Sequence, residues 1–220
     1  MNFLYGAILL LSCSAIAYEL VLIRLLDIIQ FSELSSVVIS LALFGFGFSG
    51  VFCSALNKAI NERFVSKFVF VNSILYLFFI PISFLLVQSL PFQSMEMIWD
   101  FSQFRYLLLH FLLLSLPFFF VSNAIIITLS YWKAALHKVY FYDLLGAGLG
   151  SLVSIAILWF LPLSKVLLGI STIVFFGTLC IAKHFRIKFG IWIALLSLLA
   201  IVVINKDFEL KPSSYKSLSK

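Results

Sequence analysis

The sequence predicts an all-α protein, a polytopic transmembrane bundle of about seven helices. Its 220 residues are 63% hydrophobic and 11% charged, whereas a soluble domain is about 45–50% apolar and about 25% charged. Apolar runs close to the roughly 20 residues that a helix needs to cross a bilayer account for most of the chain. These runs lack the alternation of barrel strands, and a helix satisfies its own backbone hydrogen bonds in lipid.

The predicted spans follow from apolar length measured against charged or proline-containing breaks. In chain order they are residues 3–26, 36–56, 68–87, 106–130, 140–161, 166–182 and 189–204, of which the last two are the shortest. The longest connector, residues 88–105, predicts either a segment along the membrane interface or an ordinary loop. Residues 1–205 are therefore expected to form a transmembrane helical domain, and residues 206–220 a polar tail or linker.

Basic residues are distributed unevenly over the connectors. The second, fourth and sixth connectors carry Lys58, Arg63, Lys67, Lys133, Lys138, Lys183, Arg186 and Lys188. Because Lys and Arg mark the cytoplasmic side of short loops, we expect these even-numbered connectors in the cytoplasm, in a multi-pass protein of the plasma (inner) membrane. The lysines of the tail favour the same side, whereas an odd number of spans places the tail outside.

The net charge of +6 and the pI near 9.3 do not indicate nucleic acid. The basic residues are spread over short loops, where topology and anionic lipid headgroups explain them, so the lipid bilayer is the expected partner. The three cysteines, Cys13, Cys53 and Cys180, lie in apolar runs without a C-x-x-C pair. No metal site and no cofactor are expected from them.

Two glycine clusters have informative spacing. Gly45, Gly47 and Gly50 match the G-x-G-x-x-G of a dinucleotide-binding loop, but such a loop needs a preceding strand and a polar turn. Here the glycines alternate with phenylalanines inside an apolar run. Gly146 and Gly150 have the G-x-x-x-G spacing that lets two membrane helices approach closely. Both clusters therefore predict helix contact surfaces, and contact between the two clusters is one arrangement that would satisfy both.

Ionisable residues within apolar spans are costly and usually face a partner or a wet cavity. Glu19 and Asp27 bracket Arg24 on neighbouring helical turns, which predicts either an ion-pair cluster at the interface or a cation site that includes Glu19. Asp143 is either interfacial, or directed into the bundle by its place one turn before the glycines. Glu19, Arg24 and Asp143 are the candidate intramembrane polar site. No nucleophile with a nearby base is identifiable, so no catalytic residue is assigned.

The run YGAILLLSCSAIAYELVLIRLL, followed by FGFGFSG, resembles the first two helices of the spermidine-synthase-like membrane proteins. In that family a multi-helix domain precedes a polyamine aminopropyltransferase-like, methyltransferase-fold domain. The family's Y-E-x-x-x-x-R element corresponds to Tyr18, Glu19 and Arg24, and YFYDLLGAGLGS resembles a later helix in which an aromatic-Asp pair leads into glycines. The tail KPSSYKSLSK is similar to the family's S-P-Y-K-x-L segment, which joins the membrane part to the catalytic part, with Ser214 in place of proline. The resemblance thus implies that residues 206–220 are a linker toward a missing catalytic domain.

The resemblance implies a membrane-embedded domain that anchors or regulates a methyltransferase-fold catalytic domain or subunit. The glycine-rich nucleotide loop and the catalytic aspartate of such a domain are missing from this chain, so aminopropyltransferase activity would need a separate or downstream domain. The alternative is a transporter or channel for a small cation such as a polyamine, with Glu19 and Asp143 supplying negative charge at depth. A purely structural membrane subunit is a third hypothesis.

Overall fold

The computed structural model describes residues 2–29, 37–56, 61–92, 99–187 and 189–204. Within these ranges the chain forms seven α-helices and no strand, which confirms the predicted all-α class. They are α1 (Asn2–Ile29), α2 (Val37–Leu56), α3 (Glu62–Ser89), α4 (Ser102–Tyr131), α5 (Leu136–Phe160), α6 (Val166–His184) and α7 (Gly190–Ile204). Single 3-10 turns, Lys133–Ala135 and Leu163–Lys165, precede α5 and α6.

Six of these helices, α1 to α6, are long and apolar enough to cross a membrane, and α7 is a shorter apolar helix. This set fits a multi-pass membrane protein. Several helices extend beyond the predicted spans: α3 begins at Glu62 and α5 at Leu136, so both include basic residues that the prediction assigned to connectors. Long Lys and Arg side chains at a helix end reach the interface, so a helix continues past its apolar part. The tail, residues 206–220, and residues 93–98 of the longest connector lie outside the described residues.

Helix α1 has helical neighbours on several sides. It packs extensively on α5 and α6 and touches α4 and α2, while α3 packs on α4, α6 and α7. Between them lie the largest fully buried side chains, which include Tyr18 of α1, Tyr76 and Phe84 of α3, and Phe118 of α4. The core is therefore built from α1, α3, α4 and α6, and α5 lies at the edge of the bundle against α1.

Among the contacts between helices that are not consecutive in the chain, two are formed at the glycine clusters. In the first, Gly146 and Gly150 of α5 lie against Leu9 and Cys13 of α1. In the second, Gly45 of α2 lies against Phe118 of α4, and Ser49 bonds to the next turn of α4. In each pair, contacting residues further along one helix lie further along its partner, so the two helices are parallel. Below they are called the α1/α5 pair and the α2/α4 pair.

Candidate functional site

The α1/α5 pair is a contact between backbones. A Cβ atom built on Gly146 would collide with the carbonyl oxygen of Leu9 and would lie 3.0 Å from the carbonyl carbon of Leu9. A Cβ atom on Gly150 would collide in the same way with the carbonyl oxygen of Cys13. Both obstacles are backbone, which cannot rotate away as a side chain does. Any larger residue at these positions must therefore push the two helices apart.

A polar contact and an aromatic contact accompany the glycines on the same pair. The Ser12 hydroxyl of α1 donates a hydrogen bond to the carboxylate of Asp143 on α5. The ring of Tyr5 stacks on that of Tyr142, with 5.1 Å between centroids and 6° between planes. Ser12 is buried, whereas Asp143 is half-buried. Asp143 thus faces α1, which is the orientation toward the bundle that its position before the glycines suggests.

In the other cluster, Gly45 alone is at a close helix contact. A Cβ atom on Gly45 would lie 2.7 Å from the Cβ of Phe118 and 2.9 Å from the carbonyl oxygen of Ser115. No atom of the described residues lies within 4 Å of a Cβ atom built on Gly47 or Gly50. With 3.6 residues per turn, Gly47 and Gly50 point away from the direction of Gly45, whereas residues four apart share a face. The two glycine clusters pack on α4 and on α1 respectively, and not on each other.

A buried hydrogen-bond network connects α2, α3 and α4 one turn beyond Gly45. Asn123 of α4, which is 1% exposed, accepts bonds at Oδ1 from the Ser49 hydroxyl at 2.7 Å and from the Cys53 thiol at 3.3 Å. Its amide nitrogen donates to Oδ1 of Asn72 at 3.1 Å, and Asn72 donates to the carbonyl of Phe68 at 2.9 Å. Sequence reasoning missed this network. Two asparagines in otherwise apolar spans are the signal that could have found it, since such side chains hydrogen-bond across membrane helices.

The predicted acid and base cluster on α1 is only partly assembled. Arg24 and Asp27 form an exposed ion pair with 3.4 Å between nitrogen and oxygen. Glu19 is half-buried, and in the part of the chain that the structure describes it has neither an ion pair nor a hydrogen bond. No bond joins Asp143 to Glu19 or Arg24 in that same part of the chain. Among the described residues no group of three His, Cys, Asp or Glu could hold a metal ion.

Tyr18, the residue before Glu19 in α1, points into the core. The hydroxyl of Tyr18 lies 3.4 Å from that of Ser83 on α3, and its ring lies 5.2 Å from that of Phe118. Tyr76, also on α3 and fully buried, lies beside Tyr18 and Ser14. Tyr18 is therefore fully buried in the core, whereas Glu19 next to it is half-buried.

Comparison with known proteins gives no match for this chain: no protein-family model, no curated protein and no solved structure is similar to it.

Proposed function

We propose that this chain is the membrane-embedded domain of a spermidine-synthase-like protein and that it anchors or regulates a methyltransferase-fold domain absent from the chain. The contact between α1 and α5 is the observation that carries the proposal. The segments with the strongest resemblance lie far apart in sequence, yet Asp143, Gly146 and Gly150 all contact α1. If the two motifs belong to one helix pair of the family, the residues that carry them are expected to pack together. This contact therefore supports the proposal.

The distribution of basic residues supports a cytoplasmic location for one end of the bundle. The helix directions bring together the first turns of α1, α3 and α5 and the last turn of α6, where Lys183 lies 4.4 Å from the ring of Phe3. Described basic residues at this end are Arg63, Lys67, Lys133, Lys138, Lys183 and Arg186. The opposite end has Arg24, Arg105 and Lys165, of which the first two lie near the acids Asp27 and Asp100. The face with the basic residues would lie in the cytoplasm of a bacterial-type inner membrane.

The side on which the tail lies depends on α7. The apolar stretch between Lys188 and Lys206 is shorter than the roughly 20 residues of a typical crossing. If α7 stays in one leaflet, six crossings leave the tail lysines on the same side as the other basic connectors. A methyltransferase-fold domain joined there would then meet the basic face. Reporter fusions after residue 220 test this directly, and a reporter active only outside the cytoplasm would place the tail on the opposite side.

The anchoring function is tested by membrane fractionation. A methyltransferase-fold protein encoded beside this reading frame, or in continuation of it, is expressed with and without the chain. We expect it in the membrane fraction only when the chain is present. As a matched control, a chain with Gly150→Val, which disrupts the α1/α5 pair, should retain less of it than a chain with Gly148→Val. A protein that remains soluble in the presence of the chain would contradict anchoring.

Transport of a small cation is the second candidate, and Glu19 is the observation that favours it. A half-buried carboxylate in an apolar span, without an ion pair among the described residues, is the kind of group that marks cation sites. The chain is reconstituted in vesicles, and uptake of labelled polyamine is measured for the wild type, Glu19→Gln and Asp143→Asn. Asp27→Asn serves as the control, because Asp27 already pairs with Arg24. Equal uptake by all four proteins would eliminate the transport hypothesis.

A further inference from the structure

Past the glycine contact, a lateral groove opens between α1 and α5. The glycines hold the two helices together at Leu9 and Cys13, and nearer the end of both helices the space between them is a cavity of about 650 Å³ that opens to the side. The lining residues are Leu20, Ile23, Arg24 and Asp27 from α1, and Ser151, Ser154, Ile155 and Leu158 from α5. The groove is therefore continuous with the contact on which the proposed function depends, but it is a separate feature.

The groove has an apolar part and a charged end. Leu20, Ile23, Ile155 and Leu158 form apolar walls. The hydroxyls of Ser151 and Ser154 donate to carbonyls of their own helix at 2.8 and 2.7 Å, so they do not require water or a polar ligand. The charged end holds both signs, because Arg24 and Asp27 lie together there. An occupant that matches the groove needs a hydrocarbon segment followed by one cationic and one anionic group.

Aromatic residues indicate the depth of the charged end in the bilayer. Trp159 and Phe160, the last residues of α5, are 83% and 79% exposed, and exposed tryptophan at a helix end is typical of the headgroup region. Arg24 and Asp27 lie in the last two turns of α1, which runs parallel to α5. The ion pair thus lies at headgroup depth, and the leucine and isoleucine walls extend from it toward the bilayer centre.

Arg24 can bind a ligand while it remains paired with Asp27. A single guanidinium nitrogen of Arg24 contacts Asp27, at 3.4 Å, and the side chain of Arg24 is 60% exposed. Guanidinium has five N–H donors in a planar fork that matches phosphate oxygens. A phosphate can therefore bind Arg24 while a neighbouring ammonium binds the carboxylate of Asp27. A primary ammonium donates three hydrogen bonds, whereas a quaternary ammonium donates none.

We propose that the groove is a binding site for a bilayer phospholipid with a zwitterionic headgroup that ends in a primary ammonium. Its phosphate contacts Arg24, its ammonium contacts Asp27, and one acyl chain lies between Ile23 and Ile155. A second lateral groove, between α1 and α6, offers a comparison within the same protein. It is lined by apolar residues and Lys183, with no carboxylate among its lining residues, so it lacks the charge pair that would select this headgroup.

Native mass spectrometry of the full chain, purified in mild detergent, tests the site. Phosphatidylethanolamine, phosphatidylcholine and phosphatidylglycerol with identical acyl chains are titrated separately, and the bound fraction is measured. We expect phosphatidylethanolamine to bind about tenfold more tightly than phosphatidylcholine, the factor that one charge-assisted hydrogen bond supplies. Equal binding of these two lipids, or tighter binding of phosphatidylglycerol, would overturn the proposal.

Four variants assign the contacts. Arg24→Gln should weaken phosphatidylethanolamine binding about tenfold, and Asp27→Asn should remove the preference over phosphatidylcholine while binding itself persists. Ile155→Trp, at an exposed position that tolerates a large side chain, should exclude the acyl chain while the ion pair remains. Lys183→Gln is the matched control and should change nothing at this site. Unchanged phosphatidylethanolamine affinity in Arg24→Gln and Ile155→Trp would show that the lipid binds elsewhere, and the proposal would be wrong.

Discussion

The α1/α5 pair and the α2/α4 pair solve the same packing problem in different ways. Each is a parallel contact between helices that are not consecutive, and each places a glycine against its partner. In the α1/α5 pair two glycines lie on backbone carbonyls, and the bond between Ser12 and Asp143 supplements them. In the α2/α4 pair one glycine contacts a side chain and a carbonyl, and Asn123 supplies buried hydrogen bonds.

The difference follows from how much else holds each helix. In the most apolar 18-residue stretch of each helix, only 17% of the residues of α5 are buried, compared with 33% of those of α2. Helix α5 therefore depends almost entirely on one contact, which has to be close to provide enough van der Waals attraction in lipid. A glycine that faces a carbonyl oxygen also permits a weak Cα–H···O bond. Helix α2 has a looser steric fit and gains specificity from polar groups instead.

The largest effect is expected from Gly150→Val. The added side chain meets the carbonyl of Cys13, which cannot move without the helix, so the cost should reach or exceed about 3 kcal/mol and α5 should separate from α1. Thermal unfolding in detergent measures the loss, and protease accessibility of α5 detects the separation. Gly148→Val is two residues away, and no atom of the described ranges lies within 4 Å of its Cβ position, so this substitution should be tolerated. Equal destabilisation by both substitutions would contradict a steric contact at Gly150.

The next largest effect is expected from Asn123→Ala in the α2/α4 pair. Hydrogen bonds between membrane helices contribute about 0.6 kcal/mol each on average and up to about 1.7 kcal/mol, so loss of this network should cost roughly 2 kcal/mol. The same unfolding assay applies. Thr128→Val on the same helix is the control, because the Thr128 hydroxyl donates to the carbonyl of Ala124 on its own helix and valine keeps its shape. A loss in the control as large as in Asn123→Ala would mean that packing, not the network, is being measured.

A smaller loss, about 1–2 kcal/mol, is expected from Gly45→Ala, because the methyl group overlaps Phe118 and Ser115 and the partner helix has to shift. Gly47→Ala and Gly50→Ala have open space at that position. Alanine has the higher helix propensity by about 1 kcal/mol, so these two substitutions should leave stability unchanged or raise it. Equal changes in stability for all three substitutions would contradict the explanation that Gly45 faces α4 and the other two glycines face away from it.

The smallest effect is expected from Asp143→Asn. Asparagine keeps an oxygen that accepts the Ser12 hydroxyl, so the loss should be well under about 1 kcal/mol, whereas Asp143→Ala removes the acceptor and should cost nearer 1 kcal/mol. Comparison of the two variants by thermal unfolding separates hydrogen bonding from charge. A variant Asp143→Asn that is as unstable as Asp143→Ala would show that the α1/α5 pair requires the carboxylate itself.

The sequence predicts some features of these two helix pairs and not others. Composition and apolar length predict the all-α bundle, and the four-residue spacing of Gly146 and Gly150 predicts a shared face on any helix. Spacing cannot identify the partner, because α1 is four helices away along the chain. The spacing of Gly45, Gly47 and Gly50 matches a loop motif and not a helical face, so it does not indicate which glycine packs on another helix. Within the described ranges, Gly45 is the one of the three that makes a close contact. The bonds of Asn123 and Asn72 depend on tertiary pairing, which apolar length does not report.

Disulfide cross-linking between α1 and α5 tests whether these two helices are parallel and in contact. Cysteines are introduced by Ser12→Cys with Asp143→Cys in a chain whose native cysteines are replaced by alanine, and membranes are oxidised mildly. The contact between the Ser12 and Asp143 side chains predicts a rapid intramolecular disulfide. The pair Ser12→Cys with Gly148→Cys should form none, because Gly148 faces away from α1. Cross-linking of the second pair, or of neither, in correctly inserted protein would contradict the contact.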